Sequence, residues 1–142
     1  MQLALAQARD AAARGEVPVG AVIMQNNQVI ASAGNRIIEL SDPTAHAEML
    51  AIRSACETIG RARLVDCDMV VTLEPCAMCA TAISFARIRR LYFGAYDPKG
   101  GGVENGARIF TQATCHHTPE IYGGIGESEC SEVLKTFFKE RR

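Results

Sequence analysis

Met69-Val70-Val71-Thr72-Leu73-Glu74-Pro75-Cys76-Ala77-Met78-Cys79 is the stretch that decides the fold. The short apolar, β-branched run from Met69 to Leu73 reads as a buried strand. It delivers the chain directly into a helix, because Pro75 suits a first helical turn. Cys76 and Cys79 are three residues apart, so on a helix their side chains stand about 60° apart around the axis and about 4.5 Å along it. Two thiols so placed grip one ion. Near a helix N-terminus the dipole also favours the thiolate that a metal requires. Strand end and helix start together make a pocket.

His46-Ala47-Glu48, upstream, supplies the other chemistry. Asp42-Pro43 reads as an N-cap followed by proline at the first helical position, opening a helix from about Pro43 to Ile59 that Gly60 closes. His46 and Glu48 then sit in its early turns. His46 offers a third ligand, while Glu48 stands about 200° away around an ideal helix, which argues against both binding one ion. Glu48 is left free to move protons. One imidazole and two thiols would leave Zn2+ an open position, the mark of a catalytic site; a structural site wants a fourth protein ligand. Cys56, Cys67, Cys115, Cys130, His116 and His117 are the candidates for that fourth place, and a lone Cys-x-x-Cys is also compatible with a redox pair.

The chain has 142 residues, which suits one domain, 1–142, with a real core. Its Ala-rich start carries Arg9, Asp10 and Arg14 and does not read as a signal peptide, and no apolar run approaches a membrane span. A cytoplasmic protein is expected, one without a membrane partner. In a reducing compartment Cys76 and Cys79 stay available as ligands, and the other four cysteines read as small buried residues rather than bridges. Net charge is -1 with a pI of about 6.3, so any nucleic-acid contact must be local rather than global. The basic clusters are Arg87, Arg89 and Arg90; Lys99; and Lys135, Lys139, Arg141 and Arg142.

The remaining elements follow from pattern. Residues 1–14 read as a helix ended by Gly15. Val17 to Met24 and Val29 to Ala33 read as a strand pair joined through Gln25-Asn26-Asn27-Gln28, where asparagines tolerate positive φ. Asn35 lies just past the second strand. The Cys76 helix runs to about Phe85, Arg90 to Ala95 reads as a strand, and Tyr96 to Gly102 as a glycine-rich loop in which Gly100-Gly101-Gly102 fits no phosphate-loop pattern. A short helix over Val103–Phe110, a strand over Glu120–Tyr122 and a helix over Ser128–Arg142 complete the chain. This alternation suggests a mixed sheet with helices on both faces.

The His-x-Glu and Pro-Cys-x-x-Cys elements together form the signature of zinc-dependent nucleobase deaminases. Beyond them, Glu16-Val17-Pro18-Val19-Gly20-Ala21-Val22, Gly34-Asn35-Arg36, the Asp42-Pro43-Thr44 lead-in and Phe93-Gly94-Ala95-Tyr96-Asp97-Pro98-Lys99-Gly100 make nearly the whole chain resemble the bacterial tRNA-specific adenosine deaminases of the cytidine deaminase-like superfamily. The resemblance implies a three-layer α/β/α fold with a central five-stranded mixed sheet, a homodimer, and hydrolytic deamination of a wobble adenosine flipped out of a tRNA anticodon loop. It implies Zn2+ held by His46, Cys76 and Cys79, with Glu48 carrying the proton. Asn35 would hydrogen-bond the target nucleoside, Asp97 and Lys99 would lie along the RNA path, and Phe137, Phe138 and Arg141 would lie near flanking nucleotides, with at least one of the two phenylalanines expected to serve core packing instead. The segment Thr81–Phe93 would form the dimer contact, since Ile83, Phe85, Ile88, Leu91 and Phe93 are more apolar side chains than one helix and strand need for their own burial. The alternatives are the same chemistry on a free base or nucleoside such as guanine or cytosine, or a structural-zinc RNA-binding module. His46 in place of cysteine argues against the common cytidine deaminase pattern.

Overall fold

Asn26 and Asn27, both in the left-handed region at φ 52° and 62°, turn the chain between β1 (Gly20–Gln25) and β2 (Gln28–Gly34), the geometry that matches the twist of an antiparallel pair. The computed structural model describes all residues 1–142. Around this hairpin the chain adds α1 (Gln2–Ala13), α2 (Ala47–Ile59), β3 (Cys67–Leu73), α3 (Ala77–Ala86), β4 (Arg90–Ala95), β5 (Glu120–Tyr122) and α4 (Glu127–Glu140). The five strands form one sheet in the order β2-β1-β3-β4-β5, antiparallel among β2, β1 and β3 and parallel among β3, β4 and β5. It is the mixed three-layer arrangement expected from the sequence.

The main core, with Ile23, Met69, Val71, Leu91 and Phe93 from the strands and Ala51, Ala55, Ala80 and Ile83 from α2 and α3, fills one side of the sheet. α1 and α4 pack together on the other, where Leu5, Ala95 and Cys130 make a smaller cluster. α1 lies so close to β1 that a Cβ at Gly20 would strike the backbone of Ala4 and Ala8, so only glycine fits there. No helix is long and apolar enough to cross a membrane.

Parallel strands need a crossover, and α3 provides it between β3 and β4. Leu73 pairs with Ala95 at the carboxyl ends of those strands, so the segments that follow, Glu74 onward and Tyr96 onward, leave the sheet side by side. Open α/β sheets place their ligands at this edge.

Several expectations are corrected. α2 begins at Ala47 rather than Pro43, because the Asp42 carboxylate accepts hydrogen bonds from Thr44 N (2.8 Å) and Thr44 Oγ1 (2.7 Å) and closes a turn in place of a helix. Likewise α3 begins at Ala77, with Pro75 one residue before its N-cap. β1 starts at Gly20, not Val17. Val103–Phe110 is not a helix, since Gly106 and Arg108 adopt left-handed backbone at φ 57° and 43°; a single 3-10 turn, Ile109–Thr111, remains. The proposed surplus of apolar side chains over Thr81–Phe93 is also absent: Ile83, Ile88, Leu91 and Phe93 are all in the core, and of the five only Phe85 is exposed, at 68 %.

Candidate active site

Two helix N-termini meet at the carboxyl edge of β3. His46 is the N-cap of α2 and Cys76 the N-cap of α3, each in extended backbone (ψ 151° and 174°), and neither side chain caps its own helix. N-cap positions usually carry Ser, Thr, Asn or Asp; here the residues turn inward instead. His46 Nδ1 stands 3.7 Å from Cys76 Sγ and 3.6 Å from Cys79 Sγ. A tetrahedral zinc ion about 2.3 Å from sulfur and about 2.0 Å from nitrogen requires an N···S separation near 3.6 Å. Both nitrogen–sulfur separations therefore fit zinc, and all three donor atoms lie within 4.8 Å of one another.

The set contains three residues and no fourth. The other cysteines are spoken for elsewhere: Cys56 faces Ala62 O, Cys67 neighbours Asp66, Cys115 lies against Ser84 and His117 O, and Cys130 packs under Gly94. His117 contacts Ile88 O at 2.7 Å. All six thiols are free.

The set opens onto a cavity of about 280 Å³ whose walls include Asn35, His46, Glu48, Glu74, Cys76 and Asp97. Glu48, the second residue of α2, is 4 % exposed and outside the donor set. Burial pushes its carboxyl above the ordinary range. Cys76 is drawn down to about 4, first by the neighbouring Cys79 thiol and then by His46, while the same pairing, burial and the Glu48 charge push Cys79 up. His46 is raised by its contact with Cys76.

Asn35 takes the capping duty that His46 gives up. Its Oδ1 accepts the hydrogen bond of Ala47 N (2.8 Å) at the start of α2, and its Nδ2 donates to Val17 O (3.1 Å). One N–H and one lone pair of the amide remain for a ligand. Two buried carboxylates hold the loops on either side. Glu16 accepts from Ile38 N (2.8 Å) and Glu39 N (2.9 Å), next to the cavity-lining Ile37; Glu74 accepts from the loop that follows β4. Neither stood out in the sequence as a site residue, and their partners, loop amides 22 to 31 residues away, carry no residue-type signal that would have singled them out.

Asp97 lines the cavity, and its Oδ1 accepts from Lys99 N (3.2 Å) and Gly100 N (2.9 Å), which folds the loop back. Lys99 is not among the residues lining that cavity; it borders a separate groove of about 930 Å³ with Lys135, Phe138, Lys139, Arg141 and Arg142. Phe137 is buried, with the Arg141 guanidinium 3.5 Å above its ring, whereas Phe138 is 47 % exposed on that groove. The basic residues near β4 are different: Arg89 and Arg90 are tied to Asp68 and Glu120.

Comparison with known proteins agrees with this geometry. The family profile described as cytidine and deoxycytidylate deaminase zinc-binding region matches residues 1–95. A tRNA-specific adenosine deaminase of Agrobacterium fabrum (strain C58) is 61 % identical over 142 residues, covering 100 % of this chain and 93 % of the relative. A solved structure from work on A-to-I editing by tRNA:A34 deaminases at the wobble position superposes with a TM-score of 0.93 at 61 % identity, over 94 % of this chain and 97 % of that one. A guanine deaminase from Bacillus subtilis is more distant, with a TM-score of 0.67 at 29 % identity over 99 % of this chain and 90 % of the other.

Proposed function

The chain belongs to the tRNA-specific adenosine deaminases of the zinc-binding cytidine and deoxycytidylate deaminase family, and from that premise we propose that it hydrolyses the wobble adenosine of a tRNA anticodon loop to inosine and ammonia. The observation that carries the chemistry is the three-donor metal set facing the same cavity as a buried, non-ligating Glu48.

His46, Cys76 and Cys79 hold the zinc. When bound, zinc would supply Lewis acidity that makes a water nucleophilic near neutral pH. Glu48 takes one proton from the attacking water and passes it to the adenine ring nitrogen as the amino-bearing carbon becomes tetrahedral. It then takes the remaining proton from the newly added hydroxyl and delivers it to the amino group, so that the carbon–nitrogen bond breaks, ammonia leaves and the inosine carbonyl forms. A carboxyl raised by burial suits this work, because it must hold the proton as well as release it. Asn35 uses its remaining N–H and lone pair to orient the nucleoside, and by capping α2 it also fixes Glu48. No organic cofactor is needed.

A free base needs only the cavity. An anticodon loop needs its flanking nucleotides held, and the groove with Lys99, Lys135, Lys139 and Arg142 around the exposed Phe138 supports that use: phosphates for the cations, a base for the ring. Because Phe137 is buried, this surface is best tested without truncation. Replacing Lys135, Lys139 and Arg142 together by Ala, or Asp97 and Lys99 together by Ala, is expected to lower inosine formation in tRNA at least about tenfold, near 1.4 kcal/mol, with zinc retained and a flatter dependence on salt. Full activity in both variants would remove the groove from the RNA path.

The protein acts as a cytoplasmic homodimer of one-domain chains. Phe85, exposed on α3 beside a groove lined by Ile109 and His116, supports α3 as the contact. Sedimentation at micromolar concentration should then show a species heavier than 15.3 kDa, and Phe85→Asp should convert it to that mass. A wild-type protein sedimenting only as the 15.3 kDa chain contradicts the dimer.

A further inference from the structure

We propose that Glu74 is a positioning residue: its buried carboxylate fixes the loop 97–105 against the metal-binding turn and thereby sets the wall of the pocket that Asp97 forms. It lies directly after β3, two residues before Cys76, and is 2 % exposed. Its backbone N–H donates to Ala95 O (2.8 Å), continuing the pairing of β3 with β4 past the last strand residues. Its side chain holds the loop that leaves β4.

Five amides satisfy the carboxylate. Oε1 accepts from Asp97 N (3.0 Å) and Asn105 Nδ2 (2.7 Å), and Oε2 from Val103 N (3.2 Å), Glu104 N (2.9 Å) and Asn105 N (3.0 Å). All five donors are uncharged and all belong to one loop, so the loop itself is the counterpart of this buried charge. A carboxylate has about four lone-pair sites, which these donors use up. Glu74 therefore has no acceptor capacity left for substrate and carries no proton in the reaction; it acts through the loop. The loop is shaped to match. A Cβ on Gly101 would stand 2.6 Å from Glu74 Cδ and Oε2 and 2.6 Å from Asp97 O, so the loop reaches the carboxylate only because that residue is glycine. Gly102 N donates to Pro75 O (2.8 Å), pinning the same loop to the turn that carries Cys76.

The far end of this network is the substrate wall. Asp97 and Gly100 line the cavity together with His46, Glu48 and Cys76. Displacing the loop should thus change how substrate is held while leaving the three metal ligands and Glu48 where they are. Glu74→Gln makes a specific break. The Oε2 position faces three backbone N–H groups and must keep an oxygen, which forces the new amide nitrogen to the Oε1 position. There Asn105 can turn its amide over to accept, but the Asp97 backbone N–H has no such freedom and loses its partner.

This inference rests on the deaminase reading, which wild-type activity on the RNA tests separately. The zinc-loaded wild type and Glu74→Gln are compared on a tRNA anticodon stem-loop. The variant should keep one zinc per chain, raise KM at least about tenfold and change kcat less than about threefold, a split that loss of stability alone would not produce. In NMR spectra its Asp97 amide proton should move upfield and exchange faster while that of Glu104 stays protected. Loss of zinc, an unchanged KM, or a fall confined to kcat would overturn the proposal. Should Glu74→Gln not fold, Gly101→Ala leaves the carboxylate intact and drives a methyl against it; the same rise in KM is expected, and a wild-type KM there overturns the proposal as well. An inactive wild type would sink the deaminase reading, and the Asp97 amide would still decide the positioning role.

Discussion

Glu48→Gln is expected to leave a folded protein with one zinc per chain whose deamination rate is lower by about 100- to 10,000-fold, the range for loss of a general acid-base group. The reason is local. Glu48 is the second residue of α2, buried except toward the cavity, and outside the set of metal donors. Glutamine matches its size but cannot exchange a proton with water, ring nitrogen or ammonia. Because one carboxyl serves all those transfers, the loss should fall on kcat rather than on KM. Single-turnover inosine formation together with metal analysis checks both halves. Retention of more than about a tenth of the rate, outside that catalytic range, would mean that another group carries the proton.

Replacing His46, Cys76 or Cys79 by Ala should do more, removing both activity and metal. Each supplies one of three donors already spaced for tetrahedral zinc, so no spare protein ligand exists to restore the set. Zinc content should fall from one per chain to below about a tenth after dialysis, since the affinity of such a site depends on every ligand. The same replacement at Cys56, Cys67, Cys115 or Cys130 should leave zinc bound, although the buried Cys67 and Cys130 will cost stability. Zinc lost from any of those four variants would point to a closed, four-ligand site and against an open catalytic one.

That His46, Cys76, Cys79 and Glu48 gather at one cavity was legible in the sequence because these residues are marked by type and spacing. Cys76 and Cys79 need only one helical turn to meet, and the β-branched run before them announces the strand that brings them to the sheet edge. The helix starts were less legible. Proline at a first helical position and Asp42 as N-cap are sound rules, yet His46 and Cys76 hold the N-cap positions with side chains that face the metal set, and Asn35 caps α2 from 12 residues away. A cap supplied from another element leaves no local signature. The helix expected over Val103–Phe110 fails for a similar reason: the amides of residues 103–105 are drawn to Glu74, and the left-handed Gly106 and Arg108 then break the run. Glu74 and Glu16 read in sequence as ordinary acidic residues, and only the fold shows that loop amides surround them. The apolar run from Ile83 to Phe93 misled in the opposite sense, because α3, β4 and the connection between them, which carries Ile88, bury four of its five large side chains within the chain's own core.

The most direct test is to incubate the zinc-loaded protein with bulk tRNA and, separately, with free guanine, cytosine and adenosine, then to digest the RNA and measure inosine by mass alongside released ammonia. Inosine at the wobble position of tRNA, matched by ammonia and absent from the reactions with free bases and nucleoside, is the predicted result. Turnover of guanine or cytosine with the tRNA untouched would contradict it.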